Sequence, residues 1–248
     1  MRSFVRYLSA DRIKIKRSPA LWMHFLVPVI GIFLFLIIYA FRQDKIGEAL
    51  TSFFGCMMAA FPVLIGIVTG LSAEQEADAG HSQELLFHPS RLLALFSKVV
   101  LFLLLGSMAM LLAVFGFALS FSAAFHVTFF SAPTYLYLTM ILLLCNLFTY
   151  IFHWFFSLRF GKNVSIGVGI VEAILGMLLL TVLGNVIWPF VPCAWGFRLL
   201  RIFLTCGTLS VTFGGKLLAM VFIPVLTILA LLLFILWFLR WEGNKAEE

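Results

Sequence analysis

Charged residues are scarce in this chain of 248 residues. Asp, Glu, Lys and Arg together make up 11% of the sequence, whereas hydrophobic residues make up 63% and include 29 Phe. A soluble domain usually contains about 25% charged residues. The deficit therefore argues against an ordinary soluble protein and predicts an integral membrane protein.

Segments of alternating hydrophobicity, which are typical of a membrane β-barrel, are also missing. Long apolar runs are present instead, and a helix needs roughly 20 apolar residues to cross the hydrocarbon core. We therefore predict an all-α integral membrane protein in which residues 1–248 form one transmembrane domain. The six predicted spans cover residues 21–41, 50–72, 95–122, 134–158, 164–187 and 217–240.

Acidic residues are fewer than basic ones, 11 against 17, so the net charge is +6. If the N-terminus is cytoplasmic, the outer side keeps only five basic residues: Arg42, Lys45, Arg198, Arg201 and Lys216. This asymmetry follows the positive-inside rule and predicts that both termini are cytoplasmic. Because the positive charge is explained as a topology signal, no nucleic-acid partner is expected.

Residues 1–20 alternate basic and apolar side chains before Pro19 and the first apolar run. Such a segment is typical of a helix that lies on the membrane surface, where Lys and Arg meet the head groups of membrane lipids. The following run is too long for a secretory signal and has no convincing cleavage site. We predict an interfacial helix that leads into a retained first span.

Motifs for ATP binding and for hydrolysis are absent. The pairs Gly161-Lys162 and Gly215-Lys216 lack the upstream Gly and the hydroxyl of a phosphate loop. HExxH and GxSxG do not occur, so we expect no catalytic residue and no bound cofactor. The four Cys form no CxxC motif and no His/Cys cluster, which argues against a metal site. Their spacing leaves open whether Cys193 and Cys206 pair.

Polar residues inside the predicted spans are few, and Glu172 is the most unusual of them. It lies about nine residues into the fifth span, near the bilayer centre at about 1.5 Å per residue. An acid there costs on the order of 2.5–3.5 kcal/mol. We therefore predict that Glu172 lines a translocation path or bonds a partner helix, with Asn146 and Asn185 as further candidates. His153 is considered as a catalytic partner of Glu172, but we expect it near the inner interface.

Residues 188–216 form the longest predicted outer segment. They include two Trp and several Phe, so the segment is too apolar to extend freely into water. Trp is favoured at the membrane–water interface. We predict a re-entrant or interfacial outer loop, whose defining residues are Trp188, Pro192, Trp195 and Arg198.

An acidic segment at residues 71–91 separates the second and third spans and is expected to be cytoplasmic. Its charged residues are Glu74, Glu76, Asp78, Glu84 and Arg91. We predict a short helix over residues 77–87 with Leu85 and Leu86 on an apolar edge, and a break at Pro89. Fixed acids beside an apolar edge indicate a docking surface, and the alternative is a solvated hairpin.

Residues 73–98, AEQEADAGHSQELLFHPSRLLALFSK, resemble the first cytoplasmic loop of ABC-2-type permeases. The matching positions are Glu74 or Glu76, Gly80, Leu85, Leu86, Pro89, Ser90, Arg91 and Lys98. His81 departs from the Thr or Ser that many members carry after the Gly. The stretches KIKRSPALWMHFLVP and PFVPCAWGFRLL are similar to permeases of lantibiotic-immunity transporters, and the similarity extends over the whole chain.

The resemblance implies an ABC-2 (type V exporter) fold with an N-terminal elbow helix and a cytoplasmic coupling helix between spans two and three. It implies a subunit of the bacterial plasma membrane that pairs with a second permease, identical or homologous. Two copies of a separate ATPase would bind ATP and Mg. The expected contacts with that ATPase are Glu74, Glu76, Gly80, His81, Glu84, Leu85, Leu86, Pro89 and Arg91.

The function implied by the resemblance is ATP-driven expulsion of a lantibiotic or another amphipathic peptide from the membrane. Two alternatives stay open at this point. One is an ABC-2 exporter of another drug or of a lipid-like substrate. The other is a membrane scaffold or sensor partner that transports nothing.

Overall fold

The computed structural model describes residues 2–16, 18–79, 82–86, 90–206 and 216–243, and helices dominate these residues. The predicted all-α class is confirmed. The α-helices are α1 (Arg2–Lys16), α2 (Pro19–Ala40), α3 (Ala49–Asp78), α4 (Gln83–Leu86), α5 (Arg91–Phe125), α6 (Ala132–Phe160), α7 (Lys162–Leu178), α8 (Pro192–Cys206) and α9 (Lys216–Arg240). Short 3-10 helices occupy Gln43–Glu48, Val182–Gly184 and Trp188–Phe190.

Local sequence signals explain where several helices begin. Ser18 caps α2 by accepting a hydrogen bond from the Ala20 amide, and Pro19 occupies the first helical position. Ser90 caps α5 by accepting from the Leu93 amide. Gly161 separates α6 from α7 at a φ of +86°, a left-handed conformation that glycine adopts without strain. This turn makes α6 and α7 a helical hairpin.

Five helices of the described chain are long and apolar enough to cross a membrane: α2, α3 together with the preceding 3-10 turn, α5, α6 and α9. The predicted fifth span, 164–187, corresponds to α7, which has 17 residues and ends at Leu178. At 1.5 Å per residue α7 is about 26 Å long, somewhat short of a hydrocarbon core. A sixth crossing by α7 therefore stays a prediction.

Polar contacts show which helix ends lie together. Asp11 and Lys14 of α1 contact Lys98 near the start of α5 and Glu76 near the end of α3. Arg91 of α5 donates to the Leu239 carbonyl at the end of α9 (3.3 Å). We call this side of the molecule the α1 end of the bundle. Both α1 and the last turn of α9 lie there, and the side of the membrane that it faces stays a prediction.

The closest packing joins α3 to α7 and depends on glycine. A Cβ at Gly66 would lie 2.8 Å from the Ser165 carbonyl oxygen, and one at Gly169 would lie 2.6 Å from the Pro62 carbonyl oxygen. A Cβ at Gly70 would lie 2.7 Å from Cγ of the Lys162 side chain. Gly66 and Gly70 have GxxxG spacing, which lets helices approach closely. At Gly66 and Gly169 no other residue type fits without a shift of the backbones.

Candidate functional site

The acidic segment between α3 and α5 is divided differently from the prediction. Helix α3 continues through Glu74 and Glu76 to Asp78, and α4 is a single turn, Gln83–Leu86, so a helix over 77–87 is wrong. The run of Ala, Gln and Glu has high helix propensity and extends α3. The Ser82 amide then donates to the Glu76 carbonyl (3.0 Å), which closes the end of α3.

Several predicted contact residues lie outside this part of the structure. Gly80, His81 and Pro89 are outside the described residues, and so is the side chain of Glu84. Their expected contact with an ATPase stays a prediction. The described acids of the segment are therefore those on the last turns of α3.

Glu76 is buried and paired inside the chain, which differs from its expected role as a surface contact. Its side chain is 1% exposed, and its Oε1 lies 2.7 Å from Lys98 Nζ and 3.1 Å from Lys14 Nζ. Lys98 Nζ also lies 3.0 Å from Asp11 Oδ1, and the Ser97 hydroxyl donates to the same carboxylate. Two acids and two bases balance each other in this cluster, which fastens α1, α3 and α5 together.

The predicted apolar edge of the segment faces the bundle. Leu85 and Leu86 are both buried and belong to the main hydrophobic core. Arg91 Nε donates to the Leu86 carbonyl (3.1 Å), and its Nη1 donates to the Leu239 and Trp241 carbonyls. Arg91 therefore holds the end of the segment against α9, while Leu85 and Leu86 are buried in the core. The expected contact of these three residues with an ATPase stays a prediction.

Glu74 is the acid among the predicted contacts whose described side chain stays exposed. It is 46% exposed and forms an ion pair with Lys162 at the start of α7, at 2.6 Å. Asp78 is exposed one turn further along α3. The end of α3 thus presents two acids at the surface, Glu74 and Asp78, while Glu76 points inward.

A second polar group lies deeper in the bundle, where α6 and α7 meet. His153 Nε2 is 3.0 Å from Glu172 Oε2, and His153 Nδ1 is 2.9 Å from the Ser165 hydroxyl. Because a carboxylate only accepts hydrogen bonds, Nε2 carries a proton and donates the hydrogen bond to Glu172. The α6–α7 hairpin thus brings His153 and Glu172 together, and the expected position of His153 near the inner interface stays a prediction.

This group has the residue types of a hydrolytic triad, Ser165, His153 and Glu172, but its geometry does not suit hydrolysis. Ser165 is fully buried between α3 and α7, so no substrate carbonyl reaches its hydroxyl. A triad nucleophile needs such access. Within the described chain, no group of three His, Cys, Asp or Glu is placed to hold a metal ion. The group is better suited to fixing the orientation of Glu172.

Glu172 faces a cavity of about 630 Å³ between α6, α7 and the start of α8. Its side chain is 13% exposed. The other lining residues are apolar or carry no formal charge: Phe148, Phe152, Val164, Gly167, Val168, Val171, Leu175, Pro192 and Cys193. A single carboxylate thus lies in an apolar, partly aromatic cavity, which we call the Glu172 cavity.

The two asparagines predicted at depth have other roles. Asn146 is buried and donates through Nδ2 to the Leu142 carbonyl of its own helix (3.0 Å). Asn185 is exposed beyond the end of α7 and accepts from Arg198 Nη1 (2.9 Å). Its predicted place deep in the fifth span is wrong, because α7 ends at Leu178. Neither asparagine lines the Glu172 cavity.

The predicted outer loop contains helix α8, which Pro192 begins, and it packs back against the bundle. Trp188 and Trp195 are fully buried in a cluster with α6 and α9, and Trp195 Nε1 donates to the Pro189 carbonyl (2.9 Å). Both side chains are thus covered by neighbouring helices, and the position of the loop relative to the membrane stays a prediction. Arg198 donates to the Leu179 and Thr181 carbonyls, so it caps the C-terminal end of α7.

Comparison with known protein families adds one positive finding. A family described as "ABC-2 family transporter protein" matches residues 7–171. The match spans well over half of the chain, including the buried cluster of Asp11, Glu76 and Lys98, and it stops one residue before Glu172. No curated protein and no solved structure matches the chain.

Proposed function

Because the chain belongs to the ABC-2 family of transporter proteins, we propose that it is the permease subunit of an ATP-driven exporter that expels amphipathic peptides, lantibiotics among them, from the bacterial plasma membrane. Membership makes it a transmembrane transporter subunit that works with an ABC ATPase. In our proposal two ATPase copies and a second permease, identical or homologous, complete the complex. The ATPase binds ATP and Mg, and this chain forms the path of the exported peptide.

The observation that carries the proposal is the backbone contact between α3 and α7. At Gly66 and Gly169 the two helices are so close that no side chain separates them. A displacement of α3 at its exposed end is therefore transmitted to α7, since packed helices move as units more readily than they deform. Because α7 carries Glu172, motion at the α1 end changes the wall of the Glu172 cavity.

The exposed acids at the end of α3 are the proposed point of entry for that motion. Glu74 and Asp78 lie at the end of α3, where the loop between α3 and α5 begins, and the family resemblance places the coupling helix in that loop. Complementary basic groups on the ATPase would orient the two subunits and speed their association. The buried pairs of Glu76 with Lys14 and Lys98 then hold α1 and α5 to the moving helix.

We place the α1 end in the cytoplasm for two reasons. The basic residues Lys14, Arg91, Lys98 and Lys162 lie at this end, as the positive-inside rule requires of a cytoplasmic face. An ATPase that uses cellular ATP must also dock on that side. This orientation makes both termini cytoplasmic.

A second candidate, export of another drug or of a lipid-like molecule, is favoured by one specific feature. A cavity of about 470 Å³ between α6 and α9 is lined only by apolar and aromatic residues, among them Phe155, Leu229 and Trp237. Such a lining suits an acyl chain or an apolar drug, neither of which contains a peptide. We call it the α6–α9 cavity.

An immunity assay distinguishes the two candidates. Cells that express the complete transporter, with and without this chain, are challenged with a panel of lantibiotics and with apolar drugs. We expect loss of the chain to increase sensitivity to at least one lantibiotic, and we expect that peptide to stimulate ATP hydrolysis by the purified complex. Increased sensitivity to drugs alone would favour the second candidate, and unchanged sensitivity to both would contradict export.

A further inference from the structure

We propose that the Glu172 cavity binds the positively charged group of an amphipathic ligand, an ammonium or guanidinium, and that the apolar part of the same ligand lies against Phe148 and Phe152. This inference rests on the proposed function, because it names the substrate class of the transport path.

Glu172 has one hydrogen-bond partner among the described residues. His153 donates to Oε2, and within the described chain Oε1 has no hydrogen-bond partner. The Ser165 hydroxyl lies 2.9 Å from His153 Nδ1 and can donate to that nitrogen when the ring carries its single proton on Nε2. In that tautomer the charge of the carboxylate is not compensated on the cavity side.

Basic residues near α7 are occupied elsewhere. Lys162 pairs with Glu74 at the start of α7, about 15 Å from Glu172 along the helix at 1.5 Å per residue. Arg198 is directed at the carbonyls that end α7. Among the described residues that line the cavity there is no Lys or Arg. Because an unpaired carboxylate is unfavourable in apolar surroundings, a cationic ligand would stabilise it.

The geometry of the carboxylate is fixed before a ligand arrives. His153 is fully buried and is held by Ser165 on one side and by the edge of Phe152 on the other, with 6.1 Å between ring centroids. Glu172 therefore has little freedom to turn toward another partner. A prearranged acceptor loses less side-chain entropy when a cation binds.

The aromatic wall explains why the ligand should be amphipathic. Phe148 and Phe152 stack at 5.5 Å between ring centroids and line both the Glu172 cavity and the α6–α9 cavity. A ring face attracts a nearby cation, and the wholly apolar α6–α9 cavity offers room for a hydrocarbon chain. A ligand with a cationic group next to an apolar segment would use both cavities across this shared wall.

The test is a photo-crosslinking experiment on the full-length chain, isolated with the subunits that copurify with it and placed in nanodiscs of phosphatidylcholine. The probes are a diazirine-bearing dodecylammonium and the uncharged dodecyl alcohol with the same diazirine. Labelled peptides are quantified by mass spectrometry without ATP. We expect the ammonium probe to label α6 and α7 near Phe152 and Val168, and the alcohol to label them more weakly.

Two variants separate charge from packing. Glu172→Gln keeps an acceptor for His153 but removes the charge, and we expect about tenfold or more weaker labelling by the ammonium probe, the effect of losing one charge-assisted hydrogen bond. Labelling by the alcohol should be unchanged. Glu48→Gln, at an exposed acid of the 3-10 helix Gln43–Glu48 outside the cavity, is the matched control and should label like the wild type. The melting temperature of each variant reports its folding.

Two results would overturn the inference. One is equal labelling of the wild type by both probes, which needs no variant at all. The other is undiminished ammonium labelling in a folded Glu172→Gln protein. Because binding is measured without ATP, a chain that binds the cation but confers no immunity would contradict the proposed function alone. If the transporter confers normal immunity but the Glu172→Gln protein is still labelled fully by the ammonium probe, only this inference is contradicted.

Discussion

Lys98 and Glu76 form an ion pair of 2.7 Å whose side chains are 3% and 1% exposed. The pair joins the start of α5 to the end of α3, and Asp11 and Lys14 bring α1 to the same point. A buried charge without its partner is strongly unfavourable, so the cluster makes the attachment of α1 depend on all four residues. The first prediction follows from this arrangement.

Lys98→Met should destabilise the protein by about 3–5 kcal/mol, because Asp11 then loses the Lys98 ammonium and Glu76 keeps only its pair with Lys14. The melting temperature of the purified protein measures the effect. Lys162→Met is the control, since its pair with Glu74 is exposed and is worth at most about 1 kcal/mol. The double variant Lys98→Met with Glu76→Leu should recover part of the loss. Equal melting temperatures for Lys98→Met and Lys162→Met would contradict the role of the cluster.

Charge reversal at the exposed end of α3 should weaken docking of the ATPase without unfolding the chain. The side chains of Glu74 and Asp78 are both on the surface. We therefore expect the double variant Glu74→Lys with Asp78→Lys to have a melting temperature close to that of the wild type. Less ATPase should copurify with the tagged chain, and the loss should grow as the salt concentration falls, because repulsion between like charges is screened by salt. Full recovery of ATPase at every salt concentration would argue against docking at these acids.

Gly169→Ala should disturb the contact between α3 and α7, because the new Cβ would lie 2.6 Å from the Pro62 carbonyl oxygen. Overpacking of this kind costs about 1–3 kcal/mol. Gly55→Ala on α3, the partner helix, is the control, since a Cβ there meets nothing within 4 Å. We expect lower melting temperature and weaker coupling of ATP hydrolysis to transport in Gly169→Ala only. Identical behaviour of the two variants would exclude transmission through this contact.

The thiol of Cys193 reports on the charge of Glu172. Burial, and secondarily the negative charge of Glu172, raise the pKa of Cys193 to about 12, so little thiolate exists near neutral pH and alkylation is slow. Glu172→Gln removes the second cause, lowers the pKa of the thiol and should speed the reaction. The rate of iodoacetamide labelling at Cys193, followed by mass spectrometry, measures this, with Glu74→Gln as the unchanged reference. A rate that is the same in both variants would mean that Glu172 carries no charge.

Much of the fold could be predicted from the sequence, because long apolar runs leave a helix few alternatives in a membrane. The predicted spans 21–41 and 217–240 differ by only a residue or two from α2 and α9. The end of α7 could not be predicted, since residues 179–187 are as apolar as the helix before them. Their turn depends on Arg198, a residue far along the chain, which caps the carbonyls of Leu179 and Thr181.

The polar sites were harder to predict because their partners are distant in sequence. Glu76 and Lys14 are separated by 62 positions, and no local pattern connects them. The contact between His153 and Glu172 did leave a signal. Both residues lie at comparable distances from Gly161, so an antiparallel α6–α7 hairpin that turns at this glycine brings them to one level. Recognition of Gly161 as the turn would have paired them.

The contact between α3 and α7 also has an evolutionary consequence. At Gly169 the nearest atoms belong to the backbone of Pro62, so no change of a neighbouring side chain can make room for a larger residue. At Gly116, by contrast, the nearest atom is Cδ1 of Ile32, 2.7 Å away, and a shorter residue at position 32 would create the space. Related chains should therefore keep glycine at position 169, whereas positions 116 and 32 should vary together.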